Sequence, residues 1–160
     1  MTKQHLHDNP DRTTPVGLAR YAHDFYDAAL AADDKLGMKK GYEIIAPIPV
    51  MFLVGQALEL ALKAYLLSRG VPLRKLRSKY GHDLHRALRK AKELGLLEIV
   101  DLSDEDESTV KLLNTLYSSK QLQYIVTGSK RFPVFGPLQE VAEKIIPGIS
   151  EEVGYAYRRC

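Results

Sequence analysis

The sequence predicts an all-α protein, a four-helix up-and-down bundle with short additional helices. Three observations carry that expectation. Apolar residues recur at helical spacing in long segments bounded by Pro, Gly and Ser/Thr/Asp caps. Between these segments there is no alternating run long enough to make a strand. The segment entered through Pro47 and Pro49 is apolar on every side over its first half, which places it at the centre of a helical core.

Thr14 followed by Pro15 starts the first helix, because the threonine can cap and the proline's missing N–H costs nothing at the first helical position. Leu18, Tyr21, Ala22, Phe25, Ala28, Ala29 and Ala32 then give one apolar face up to Gly37. Pro47 and Pro49 fix the start of a second helix, which runs to about Arg69 and is ended by Gly70. Pro72 opens a short basic helix, Leu73 to Tyr80, that Gly81 can end by adopting a positive φ. The next helix begins near His82 or Asp83 and continues to Glu93, with Leu84, Ala87, Leu88 and Ala91 inward and Gly95 beyond its end. In LSDEDESTVKLLNTLY, Ser103 can cap, Asp106 stands at the third position, and the acids complement the helix dipole. Leu112, Leu113, Leu116 and Leu122 form the expected inner face. After the break at GSKRFPVFGP, a last helix has Pro137 at its first position, carries Leu138, Val141, Ala142, Ile145 and Ile146, and ends at Pro147 and Gly148. On this reading residues 1–13 are a flexible N-terminal tail, 14–147 a single bundle domain, and 148–160 a C-terminal tail.

At 160 residues the chain has the size of one domain. It opens on a polar stretch rather than on a basic and then apolar leader, so a cytoplasmic setting is expected. The run IIAPIPVMFLVG holds two prolines and is shorter than the roughly 20 residues needed to cross a bilayer, so no membrane partner is expected. Cys160 is the sole cysteine, leaving neither an intramolecular disulfide nor a cysteine metal site. The net charge of +3 is unevenly spread. Arg69 to Lys92 holds nine basic residues against Asp83 alone, whereas Glu93 to Glu107 holds seven acids and no base.

GQALELALKAYLLSRG, Gly55 to Gly70, followed after a short basic linker by YGHDLHRALRKAKELG, resembles the HEPN family (higher eukaryotes and prokaryotes nucleotide-binding domain). The matching residues are Gln56, Glu59, Lys63, Gly70, Gly81, His82, Asp83 and Leu84. The resemblance implies a compact helical bundle that commonly dimerises. It also implies RNA-related biology, from ribonuclease toxins to non-catalytic partners of nucleotidyltransferases. Catalytic members carry an Arg, four to six residues and a His near the start of a later helix than the one bearing His-Asp-Leu, and two copies meet to cut RNA. This chain has no histidine after His85. Its late stretch LNTLYSSKQLQYIVTG offers Lys120 and Tyr124 where relatives hold an Arg and an aromatic.

Arg77 and His82 satisfy Arg-x4-His, and an imidazole and a guanidinium could in principle move the 2′-hydroxyl proton and stabilise the transition state of RNA cleavage. Gly81 breaks the helix between them, so helical register does not bring the two side chains together. Glu59 and Lys63 lie one turn apart in the orientation that favours an ion pair, and on a buried helix such charges are expected to be paired, in a network with His82 or Asp83. Of His82, Asp83 and His85 only two can share a helical face, and no third ligand stands at a diagnostic spacing, so no metal or other cofactor is expected. Arg86, Arg89 and Lys90 share one helical face, as phosphate contact requires, and Tyr80 is the one aromatic among these bases.

The expected function is therefore a non-catalytic binding or regulatory domain. It would be dimeric, with a basic face for RNA, a nucleotide or an acidic protein. Its candidate ligand residues are Glu59, Lys63, His82, Asp83, Arg86, Arg89, Lys90, Lys120 and Tyr124. Two alternatives stay open: a divergent metal-independent ribonuclease toxin using Arg77 and His82, and a structural interaction module whose charges serve solubility.

Overall fold

The computed structural model describes residues 6–124, 127–128 and 130–156, so His5 and Cys160 lie outside the described residues. These residues form six α-helices and no strand: α1 (Pro15–Leu36), α2 (Ile48–Ser68), α3 (Leu73–Lys75), α4 (Leu84–Glu93), α5 (Asp104–Tyr117) and α6 (Phe135–Val153). The expected all-α class is the class observed. Thr14 caps α1 by accepting the Gly17 N–H at 3.0 Å. Ser103 and Asp106 exchange side-chain and backbone hydrogen bonds in a complete capping box at the start of α5.

The core is organised about α2, which packs along α1 and also touches α4, α5 and α6. Its buried residues, from Val50 and Met51 to Tyr65 and Leu66, cover most of the helix circumference and leave one partly exposed strip at Phe52, Gln56, Leu60, Lys63 and Leu67. By length and composition α2 could cross a membrane, but 67% of its most apolar window is buried inside the fold. Its apolarity therefore serves the core.

Several local expectations are corrected. The buried stripe of α1 is Ala19, Ala22, His23, Tyr26 and Ala29, while Tyr21 is 59% exposed and Ala28 faces outward. The alanines let α1 lie close to α2. His23 and Tyr26 have polar atoms that find partners on α6, Ser150 at 2.7 Å and Glu143 at 2.9 Å. The basic segment after Pro72 is a single α-turn that widens into a π-helical turn, Leu76–Tyr80, closed by the Gly81 N–H donating to the Leu76 carbonyl at 3.0 Å.

Helix α6 neither starts at Pro137 nor stops at Pro147 and Gly148. It begins at Phe135, which puts Pro137 in the first turn, and runs through Pro147 to Val153, so residues 148–153 belong to the helix rather than to a tail. An interior proline costs about 3 kcal/mol. Burying Ile149 completely returns a comparable amount, about 1.5–3 kcal/mol. At the other end of the chain, residues 6–8 form a 3₁₀ turn whose Asp8 pairs with Arg77 at 2.8 Å, so this part of the expected tail is tied to the fold.

Candidate functional site

Glu59 is 4% exposed in the middle of α2, and a carboxylate there must be compensated. It accepts from Lys63 Nζ at 2.7 Å, one turn along the same helix. His82 Nδ1 lies 3.0 and 3.2 Å from its two oxygens, and facing a carboxylate that nitrogen carries the proton. The third donor is the hydroxyl of Tyr117, from the end of α5. Tyr117 Oη also lies 2.8 Å from the Gln56 amide. The single phenol proton thus lies between two acceptors, Gln56 Oε1 and the Glu59 carboxylate, and the charged one takes the stronger bond. Burial, the Glu59 charge and the hydrogen bond to Glu59 together push the Tyr117 phenol well above its ordinary value, so it remains a donor.

This arrangement fits because α2 has no side chain at Gly55. A Cβ there would lie 2.5 Å from Tyr117 Cδ2. The Tyr117 ring covers the glycine and meets His82 edge-on, with ring centroids 6.2 Å apart.

Asp83 caps α4 by accepting the Arg86 N–H at 2.9 Å. Asn114 of α5 reinforces the cap by donating to Asp83 at 3.0 Å and accepting the Leu84 N–H at 2.8 Å. The start of α4 is thus pinned from α2 through His82 and from α5 through Asn114. Neither Tyr117 nor Asn114 was among the residues singled out from sequence. The one available signal was Gly55, the sole glycine inside α2.

Pinning α4 fixes a basic surface. Arg86, Arg89 and Lys90 line a concavity of about 230 Å³ with Lys79, Tyr80 and Glu93. A second concavity of about 190 Å³ shares Lys79, Tyr80 and Lys90 and adds Arg69, Lys75, Val71, Pro72 and Leu94. Six cations therefore face two adjoining hollows. Lys90 is partly engaged by Glu93 at 3.2 Å, and Arg69 by Glu152 at 2.8 Å. Among the described residues no ion pair is made by Lys75, Lys79 or Arg89. Tyr80 is 3% exposed, so it is a wall of the groove and offers no face for stacking on a base.

The structure does not bring together the other candidates. Arg77 is held by Asp8 while His82 is held by Glu59, and Gly81 at φ +43° turns the chain between them. Lys120 has a positive φ of 61° at the end of α5, and Tyr124 is 69% exposed. The Lys120 backbone N–H donates to the Tyr117 carbonyl at 3.1 Å, but among the described residues no side-chain hydrogen bond or ion pair joins Lys120 or Tyr124 to the Glu59 network or to the α4 cations. No cluster of three or more His, Cys, Asp or Glu residues among the described residues could hold a metal ion.

A helical domain with a charged, fully compensated central helix and a capped basic helix beside it defines the class of protein. A family model described as the HEPN domain matches residues 48–151, well over half of the 160-residue chain, and the chain belongs to that family. No curated protein and no solved structure matches it. Family membership supports a nucleotide-related or RNase-like setting.

Proposed function

We propose that this chain is a non-catalytic HEPN module that binds the phosphate backbone of RNA. The observation that carries the reading is the convergence of Lys79, Arg86, Arg89 and Lys90, with Lys75 and Arg69, on two adjoining hollows. Contacts of this kind are electrostatic and indifferent to sequence, and the burial of Tyr80 removes the one aromatic platform in the groove. The non-catalytic part rests on chemistry. The sole Arg-x4-His pair has its two members committed to different carboxylates, and no later histidine is available.

The protein works in the cytoplasm as a homodimer in this reading. Support for a second copy comes from the partly exposed edge of α2, where Phe52, Gln56, Leu60, Lys63 and Leu67 recur at helical spacing beside the Glu59 network. The test is to incubate purified protein with labelled single-stranded RNA without metal and follow both retention and cleavage. Retention without cleavage is expected, weakened by combining Arg86→Ala, Arg89→Ala and Lys90→Ala. Cleavage abolished by Arg77→Ala or His82→Ala would replace this reading with that of a ribonuclease.

A further inference from the structure

A hollow of about 510 Å³, sharing no residue with the basic groove, lies where the end of α1 meets the segment leading into α2 and the start of α6. Three acids line it, Asp33, Asp34 and Glu43, and no base does. Its other walls include Met38, Tyr42, Ile44 and Val134, which are 86%, 39%, 66% and 49% exposed. Large apolar side chains left open around one concavity mark a contact surface.

Two of the acids are placed against local stability. Asp33 and Asp34 stand in the last turns of α1, where the helix dipole is negative and a base is favoured. Among the described residues no cation pairs with either of them or with Glu43. Burial and the neighbouring Asp34 raise the Asp33 carboxyl above its ordinary value. Glu43 is held ionised by its own N–H and that of Gly41, the latter at 3.1 Å. Side chains that work against their own helix are expected where a function requires them.

We propose that this hollow docks a basic peptide segment of a protein partner, its Arg or Lys side chains meeting Asp33, Asp34 and Glu43 while an apolar side chain between them covers Met38, Ile44 and Val134. The mixed lining selects that occupant. A bare polyamine would leave the apolar walls wet, and an apolar helix would leave three carboxylates desolvated without partners. The chain's own basic groove is itself concave and presents no segment that could enter.

The experiment measures the anisotropy of a short fluorescein-labelled peptide alternating arginine and leucine, titrated with the full-length protein, with spermine as the competitor. Asp33→Asn combined with Asp34→Asn should weaken peptide binding by about tenfold. The same variant should melt about 2 °C higher, because unfavourable helix-end charges are gone. Ile44→Ser should weaken the peptide several-fold and leave spermine binding unchanged. Peptide affinity unaffected by the acidic double variant would overturn the proposal. So would Ile44→Ser acting on neither ligand or on both equally, or spermine displacing the peptide as well as the unlabelled peptide does.

Discussion

Replacing Tyr117 by Phe removes one hydroxyl from the centre of the polar network and leaves its packing in place. The ring still covers Gly55 and stays near Phe52 and His82, with both centroid separations 6.2 Å. The lost bond is a hydrogen bond to a buried carboxylate, and bonds to charged groups contribute about 1.5–3 kcal/mol. Glu59 keeps Lys63 at 2.7 Å and His82 at 3.0 Å, so it is not left as an unpaired charge, which holds the expected cost to about 2 kcal/mol. For a chain of this size that is a fall of about 4–8 °C in Tm. Urea denaturation should show a lower midpoint with an unchanged m value. In a double-mutant cycle with Glu59→Gln, the two changes should fall short of additivity by about 1 kcal/mol or more. A Tyr117→Phe loss under about 0.5 kcal/mol with additive behaviour would mean that packing alone holds α5 to α2 and that the network contributes nothing.

Two further outcomes follow from neighbouring geometry. Gly55→Ala gains up to about 1 kcal/mol of helix propensity but drives a Cβ to 2.5 Å from Tyr117, so a net loss of about 1–2 kcal/mol is expected in thermal denaturation, and a stabilised variant would contradict the close crossing. Burial works to raise the pKa of Asp106, but its hydrogen bonds with Lys144 and Ser103 prevail and lower it below its ordinary 3.8. A depressed carboxyl contributes stability above its unfolded pKa and loses it as pH falls through the folded one. Asp106→Asn should therefore be less stable than wild type by about 1 kcal/mol at neutral pH, with the gap closing once pH drops below 3.8; a gap independent of pH would refute the assignment.

How much of this was legible in the sequence depended on range. Caps are local, so Thr14, Asp83 and Ser103 were readable, as was the i, i+4 pairing of Glu59 with Lys63. The role of His82 was half-readable, because His-Asp-Leu marks a helix start but only the packing of α4 on α2 brings the imidazole to Glu59. Tyr117 and Asn114 were missed because their partners lie on α2 and α4, 58 and 31 residues away for Glu59 and Asp83, and no periodicity within α5 specifies which side chain will face them. Pro147 misled for the opposite reason. A strong local stop signal was overridden by the burial of Ile149 and Ser150 beyond it. The basic character of the groove was plain from composition, while its concavity came from the π-helical turn at Leu76–Tyr80 and the pinning of α4.

Phosphate binding by the α4 groove is most directly tested by the salt dependence of affinity for a single-stranded RNA, measured on the intact protein and on the variant combining Arg86→Ala, Arg89→Ala and Lys90→Ala. With the six cations of the two hollows engaging about six phosphates, the plot of log affinity against log salt should have a slope of roughly −4, falling to roughly −2 when three cations are removed. The same slope in both proteins, or no RNA retained by the intact protein at about 50 mM salt, would contradict the assignment of the groove.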